Sequence, residues 1–125
     1  MSSKRILIID DEDDIREVAS LALETGGDFE VTAADCGKVG LASAQALRPD
    51  LILLDVMMPE MDGPATFLRL RDSDATRSIP VIFLTAKVQA GDRRKLTELS
   101  ALGIIAKPFD PMRLADEIAA MAGWS

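Results

Sequence analysis

Five short apolar runs, each followed by a helical pattern, are the feature that most constrains the fold of this chain. The third run, at residues 51–54, is continuous, as expected of a strand buried on both faces of a parallel sheet. Strict alternation of strands and helices with short connections predicts one α/β domain, in which helices cover both faces of a doubly wound parallel sheet. The predicted strands span residues 5–9, 29–33, 51–54, 81–84 and 104–106.

The predicted helices are bounded by glycine, proline and capping residues. Pro64 fits the first turn of the third helix, where its missing N–H costs nothing. The fourth helix is predicted around residues 92–100, with Gly91 interrupting its start. Asp110 and Pro111 fit the N-cap and the first residue of the fifth helix.

Composition argues against several classes of protein. The 125 residues include 14 basic and 21 acidic side chains, and the formal charge of −7 argues against direct binding of nucleic acid. No apolar run approaches the roughly 20 residues of a membrane span, and no signal-peptide pattern is seen, so we expect no membrane partner. Cys36 is the only cysteine, which suits the cytoplasm. The start at Met1 favours a whole protein, with one domain over residues 1–125 and its core at about 4–122.

Polar side chains end four of the five predicted strands. Asp10 and Asp11 follow the first strand, Asp55 the third, Thr85 the fourth, and Lys107 the fifth. In a doubly wound sheet these positions converge on one crevice. Three carboxylates gathered there repel one another and need a cation, and oxygen ligands favour Mg²⁺, with Mn²⁺ as an alternative.

The same residues indicate a phosphoryl chemistry. The Thr85 hydroxyl and the Lys107 ammonium form a cradle for phosphoryl oxygens. The sequence has no histidine, no serine dyad and no reactive cysteine at these positions. Asp55 is therefore the candidate nucleophile, and its product would be an acyl phosphate.

Each residue also has a purely structural interpretation. Asp55 would start a turn, Thr85 would be a turn hydroxyl, and Lys107 would be a surface lysine with a buried stem. The acidic run at residues 10–14 would complement the dipole of the first helix, which we expect of Glu12, Asp13 and Asp14. The functional interpretation is favoured because all five residues fall at the correct strand ends.

These residues lie in motifs that resemble the receiver domain of response regulators, the phospho-accepting half of two-component signalling. The resemblance runs from Lys4 to about Ala122, and the chain is similar to the chemotaxis regulators among these receivers. It implies a single (βα)5 flavodoxin-like three-layer sandwich with strand order 2-1-3-4-5. The motifs are Ile-Ile-Asp-Asp at 8–11, Leu-Asp-Val-Met-Met-Pro-Glu-Met-Asp-Gly at 54–63, Leu-Thr-Ala at 84–86 and Lys-Pro-Phe at 107–109.

The resemblance also implies roles for individual residues. Asp55 would accept phosphate from a histidine kinase or a histidine phosphotransferase. Asp10 and Asp11 would hold Mg²⁺ with Asp55, and the Met57 backbone carbonyl would be a further ligand. Thr85 and Lys107 would contact the phosphoryl group, and the Lys107–Pro108 bond would be cis. Such a domain catalyses only its own phosphorylation and dephosphorylation, and it switches a downstream protein target.

Two positions bear on how a signal would leave the site. Ile104 stands where receivers usually carry Tyr or Phe, and Lys87 stands at a position that tunes the lifetime of the phosphate. Ile104 is stiff at its first torsion and has no polar tip to swing into water. We therefore expect output through the segment from Thr85 to Leu99. Its basic cluster of Arg93, Arg94 and Lys95 would be presented to, or withdrawn from, an acidic partner; the alternative is a solvated basic face.

Two other functions remain as alternatives. A phosphorelay receiver would pass its phosphate from Asp55 to a histidine on another protein. An aspartyl-phosphate enzyme of the haloacid-dehalogenase-like group is more distant, because the run Asp10-Asp11-Glu12-Asp13 lacks that group's Asp-x-Asp pattern and the chain has no cap domain. A nucleotide-binding module is disfavoured because no glycine-rich loop follows the first strand.

Overall fold

The computed structural model describes residues 3–86 and 90–124, and the side chains of all of these except residues 90–93. Lys87 therefore lies outside the described residues. Within the described part of the chain, no helix is both long and apolar enough to cross a membrane.

Five parallel strands form one sheet in the order β2-β1-β3-β4-β5. This confirms the predicted α/β class and strand order. The second strand is shifted by one residue from its predicted bounds, and the fifth begins one residue earlier than predicted. The strands are β1 (Arg5–Ile9), β2 (Glu30–Ala34), β3 (Leu51–Asp55), β4 (Val81–Thr85) and β5 (Gly103–Ala106).

Five helices pack on the two faces of this sheet. They are α1 (Asp13–Gly26), α2 (Gly37–Leu47), α3 (Gly63–Arg71), α4 (Ala90–Glu98) and α5 (Leu114–Ala122). Because side chains alternate along a strand, each central strand contributes to two cores. In β1, Ile6 and Ile8 pack with α1 and α5, whereas Leu7 and Ile9 pack with α2, α3 and α4. The continuous apolar runs are thus explained by burial on both faces.

The start of α5 was predicted wrongly. The helix begins at Leu114, and residues 111–113 form a turn before it. Asp110 caps this turn rather than the helix, because its Oδ1 accepts the Met112 N–H at 2.9 Å and its carbonyl accepts the Arg113 N–H at 3.0 Å. An aspartate followed by proline suits both structures, since the Asx turn uses the same side-chain acceptor as a helix cap.

The start of α3 is joined tightly to the end of β3. Asp62 caps the helix through a 2.9 Å hydrogen bond from the Ala65 N–H, and Pro64 lies in the first turn as predicted. The Gly63 N–H donates to the Val56 carbonyl at 2.9 Å. A Cβ atom at Gly63 would lie 2.3 Å from the Asp55 carbonyl oxygen, so the close approach of the two backbones requires glycine.

We expect Gly63→Ala to destabilise the protein by about 1–3 kcal/mol, because the new methyl group must displace the backbone of Asp55 or of α3. Urea unfolding measures this change. Gly26→Ala is the matched control, since a Cβ there would lie 3.6 Å from the Ala115 Cβ, an ordinary contact. Equal unfolding midpoints for the two variants would contradict this account of Gly63.

Candidate functional site

The carboxyl ends of the parallel strands bring the predicted acidic residues together. Asp10, Asp11 and Asp55 each offer a carboxylate oxygen, and these atoms lie within 4.8 Å of one another. Asp10 and Asp55 are buried, at 0% and 2% exposure, whereas Asp11 is exposed. The cluster therefore has two ligands inside the protein and one at its surface.

Asp10 is held by contacts to both of its carboxylate oxygens. Its Oδ1 accepts the Glu12 N–H at 2.8 Å. Its Oδ2 lies 2.8 Å from Lys107 Nζ in a buried ion pair. The carboxylate of Glu12 lies 3.6 Å from the same ammonium, but its side chain is 60% exposed, which makes that pair weak.

The two carboxylate oxygens of Asp55 differ, because one has partners in the protein and the other has no hydrogen-bond partner among the described residues. Its Oδ1 lies 3.3 Å from Lys107 Nζ and accepts the Met57 N–H at 3.3 Å. Its Oδ2 is buried and has no hydrogen-bond partner among the described residues. An unpaired buried oxygen of this kind is costly unless an ion or a reactant completes it.

Lys107 bridges the two buried carboxylates. Its side chain is only 8% exposed, which excludes the interpretation as a surface lysine. Burial lowers the pKa of Lys107, but the hydrogen bond and the charge of Asp10, joined by Asp55, outweigh it and raise the pKa above its usual value. The Lys107–Pro108 peptide bond is cis.

The balance of charge at the site is negative. Burial, and then repulsion from Asp10, raise the pKa of Asp55 to about 7, although Lys107 and the Met57 N–H act in the opposite direction. One ammonium thus does not compensate for three carboxylates. A divalent cation with a preference for oxygen ligands would supply the missing charge and a partner for Asp55 Oδ2, so the residues present fit Mg²⁺.

The structure also locates the other predicted site residues. Thr85 is buried at the end of β4, and its carbonyl accepts the Lys107 N–H at 2.8 Å, which places these two residues side by side. Met57 lies two residues after Asp55, on the loop that follows β3. Ile104 is not part of this cluster; it pairs with Phe83 in the sheet and packs, half-buried, on the core beneath α4.

Two contacts at this site were missed in the sequence. Glu12 and Arg16 lie in the segment that was interpreted as the start of a helix. Glu12 approaches Lys107, and the Arg16 guanidinium donates to the Asp10 carbonyl at 2.8 Å. No spacing rule reveals the second contact, because it depends on the path of the turn between β1 and α1.

Comparison with known proteins identifies the family of this site. Residues 6–119 match the family model described as the response regulator receiver domain. The chain belongs to this family. Receiver domains are signalling proteins of two-component systems, and they hold Mg²⁺ in an acidic pocket. The resemblance seen in the motifs is thereby confirmed.

The curated relatives of this chain include a transcriptional regulatory protein. The chain is 42% identical over 116 residues to the transcriptional regulatory protein CseB of Streptomyces coelicolor, covering 93% of this chain and 48% of CseB. The chain thus spans about half the length of the curated relatives that it matches first.

Solved structures match the receiver fold over nearly their whole length. Chemotaxis protein CheY4 of Vibrio cholerae superposes with a TM-score of 0.89 at 30% identity, covering 96% of this chain and 99% of CheY4. The receiver domain of sensor histidine kinase PA1611 from Pseudomonas aeruginosa gives 0.86 at 29% identity, covering 98% and 99%. That structure is described with a magnesium ion coordinated in its active-site cleft.

In the presence of a chelator, we expect the free energy of unfolding to fall as the pH rises from about 4 to about 7. The pKa of Asp55 is raised from 3.8 to about 7 on folding, so that the folded state holds a proton which the unfolded state has lost. Asp55→Asn should remove this pH dependence. At pH 8 its free energy of unfolding should exceed that of the wild type by roughly 2 kcal/mol, a value that allows for relaxation of the site. Urea unfolding at a series of pH values measures both slopes.

Asp74→Asn is the control for this prediction, because the Asp74 side chain is 91% exposed. Its pH dependence should follow the wild type, and added Mg²⁺ should narrow the gap between the wild type and Asp55→Asn. Parallel pH profiles for the wild type and Asp55→Asn would contradict the electrostatic account of the site.

Proposed function

We propose that Asp55 is the phosphoacceptor of this receiver domain and that its phosphodonor is a phosphohistidine on a partner histidine kinase or phosphotransferase. The observation that supports this most strongly is the Asp55 carboxylate itself. One oxygen contacts the Lys107 ammonium at 3.3 Å, and the other is buried without a hydrogen-bond partner among the described residues. This arrangement gives a nucleophile with one free oxygen beside a fixed positive charge.

The proposed step is a direct transfer between two side chains. Asp55 Oδ2 attacks the phosphorus atom, a P–O bond forms, and the P–N bond to the partner's imidazole breaks. The imidazole leaves with the electron pair of that bond and takes up a proton from water. Lys107 stays charged throughout, since its pKa is raised, and its charge offsets that of the phosphoryl oxygens. The Thr85 hydroxyl would donate a hydrogen bond to one of these oxygens.

Asp55 must be ionised to act as this nucleophile. Its pKa of about 7 in the metal-free protein means that a proton competes for the carboxylate near neutral pH. Asp10, Asp11, Asp55 and the Met57 carbonyl would hold Mg²⁺, whose charge favours the ionised carboxylate and offsets that of the incoming phosphoryl group.

The proposed output is a change of a protein-binding surface. The net charge of −7 disfavours direct contact of this chain with nucleic acid, even though the relative CseB is a transcriptional regulator. A phosphorelay role, in which Asp55 passes the phosphate on to a histidine, remains the second candidate. Transfer of label from phosphorylated protein to a histidine phosphotransferase would favour it.

Packing supports α4 as the element that responds. Among the α4 residues whose side chains are described, 94–98, Leu96 is buried and the other four are exposed. α1 and α5, by comparison, each bury three apolar residues. A segment with few buried side chains, such as residues 94–98, reorders at low free-energy cost. Ile104, half-buried beneath α4, transmits a shift of its neighbours without rotating to the surface.

Incubation with a small phosphodonor and Mg²⁺ should add one phosphate that hydroxylamine removes, as an acyl phosphate requires. Asp55→Asn should prevent this addition, because an amide is a poor nucleophile. Intact-mass spectrometry measures the stoichiometry. Asp62→Asn is the control and should be labelled like the wild type, because Asp62 lies at the far end of the loop that follows Asp55. Acid-stable labelling of Asp55→Asn on serine or threonine would contradict the proposal.

Amide hydrogen exchange should change on phosphorylation mainly in peptides that span residues 85–99. Residues 104 and 105 should change little, because β5 remains paired with β4. Lys107→Ala should still bind Mg²⁺ but lose the exchange response, since it removes the charge that links the phosphoryl group to the strand ends. Changes centred on β5, with residues 85–99 unaltered, would refute this route of output.

A further inference from the structure

Arg16, in the first turn of α1, contacts the acidic cluster at the backbone of Asp10 and makes no hydrogen bond with Asp55 Oδ2. Its Nη1 donates a hydrogen bond to the Asp10 carbonyl at 2.8 Å, and its Nη2 pairs with the Asp13 carboxylate. The Arg16 side chain is only 20% exposed, so the guanidinium is held against the protein. These contacts indicate a role for Arg16 that the sequence motifs do not indicate.

The Asp10 carbonyl needs a donor because the sheet ends there. The Asp10 N–H still donates to the Ala34 carbonyl at 3.1 Å, but the chain then turns away toward α1. Asp10 is fully buried, and a buried carbonyl without a partner is costly. The charged guanidinium satisfies this carbonyl more strongly than a neutral donor would.

This contact fixes the backbone on one side of Asp11, and a second contact fixes the other side. The Asp10 carbonyl belongs to the peptide unit that joins Asp10 to Asp11. The Glu12 N–H belongs to the next unit, and it donates to Asp10 Oδ1 at 2.8 Å. Because both units are planar, holding them sets the direction in which the exposed Asp11 carboxylate leaves the chain.

The charge of Arg16 and its hydrogen bond should have opposite effects on the affinity for Mg²⁺. A cation near the cluster repels Mg²⁺, and the pair with Asp13 cancels most of that repulsion. Loss of the guanidinium charge alone would therefore leave Mg²⁺ affinity unchanged or raise it. Loss of its hydrogen bond would lower the affinity, because Asp10 and Asp11 would no longer be held in place for the ion.

We infer that Arg16 is a positioning residue of the cation site, which sets the affinity for Mg²⁺ by fixing the turn that carries Asp10 and Asp11. This inference rests on the proposed function, because it takes Mg²⁺ as the ion that the acidic cluster binds.

Titration calorimetry of the full chain with Mg²⁺ tests the inference. Arg16→Ala should weaken Mg²⁺ binding about tenfold, the usual effect of removing a group that orients a metal ligand. Arg16→Lys should fall between that variant and the wild type, because an ammonium reaches the Asp10 carbonyl with a single donor. The metal-free amide resonances of Asp11 and Glu12 should shift in Arg16→Ala.

Arg77→Ala is the matched control. Arg77 pairs with Asp74 three residues before it and donates to the Arg71 carbonyl at 3.3 Å. Both contacts lie in the connection between α3 and β4, which leads into the amino end of β4, whereas the acidic cluster lies at the carboxyl ends of the strands. Arg77→Ala removes the same charge but should lose less stability in chelator, because the Arg77 side chain is 60% exposed, and it should keep the wild-type affinity for Mg²⁺. This comparison separates the loss of an arginine charge from a specific effect on the site.

Unchanged or tighter Mg²⁺ binding by Arg16→Ala would overturn the inference and leave the proposed function intact. A different result identifies failure of the proposed function. If the wild type does not bind Mg²⁺, or if Asp11→Ala binds it as the wild type does, the acidic cluster is not the cation site and the inference falls with it.

Discussion

The ion pairs of Lys107 with two buried carboxylates are the interaction on which the site depends. Buried charges are costly unless they are paired, and here the partners come from three different strands of one sheet. Asp10 follows β1, Asp55 ends β3, and Lys107 follows β5, so that the lysine must reach past β4 to meet both. The parallel direction of these strands is therefore a condition for the site, because it brings their carboxyl ends, and with them the three charged groups, to the same side of the sheet.

The same cluster explains how several ligands compete for one place. The site contains more negative charge than Lys107 compensates for, and the excess is relieved by a proton on Asp55 or by a divalent cation beside it. In the proposed function, phosphorylation would add a phosphoryl group with three further oxygens to a carboxylate oxygen of Asp55, and the new negative charge would increase the demand on Lys107 and Thr85. The proposed chemistry and the proposed conformational response would thus be linked through a single electrostatic balance.

Much of this arrangement could be predicted because it depends on continuous apolar runs and on the polar residues that end them. Burial on both faces leaves a continuous apolar run such as residues 51–54, and the polar residue that ends the run marks the site edge. The start of α5 could not be predicted, since Asp110 and Pro111 suit a turn and a helix equally well. The Arg16 contact depends on how a turn folds back, and local sequence does not encode that path.

The close approach at Gly63 has a mechanical consequence. With no space for a side chain between Gly63 and the Asp55 carbonyl, the start of α3 and the end of β3 lie in direct backbone contact. Among the side chains of α4 that the structure describes, residues 94–98, only Leu96 is buried. If Asp55 is the phosphoacceptor, as proposed, a displacement that begins there would meet closely packed backbone at α3. We therefore expect such a displacement to pass toward α4, where the described packing is looser.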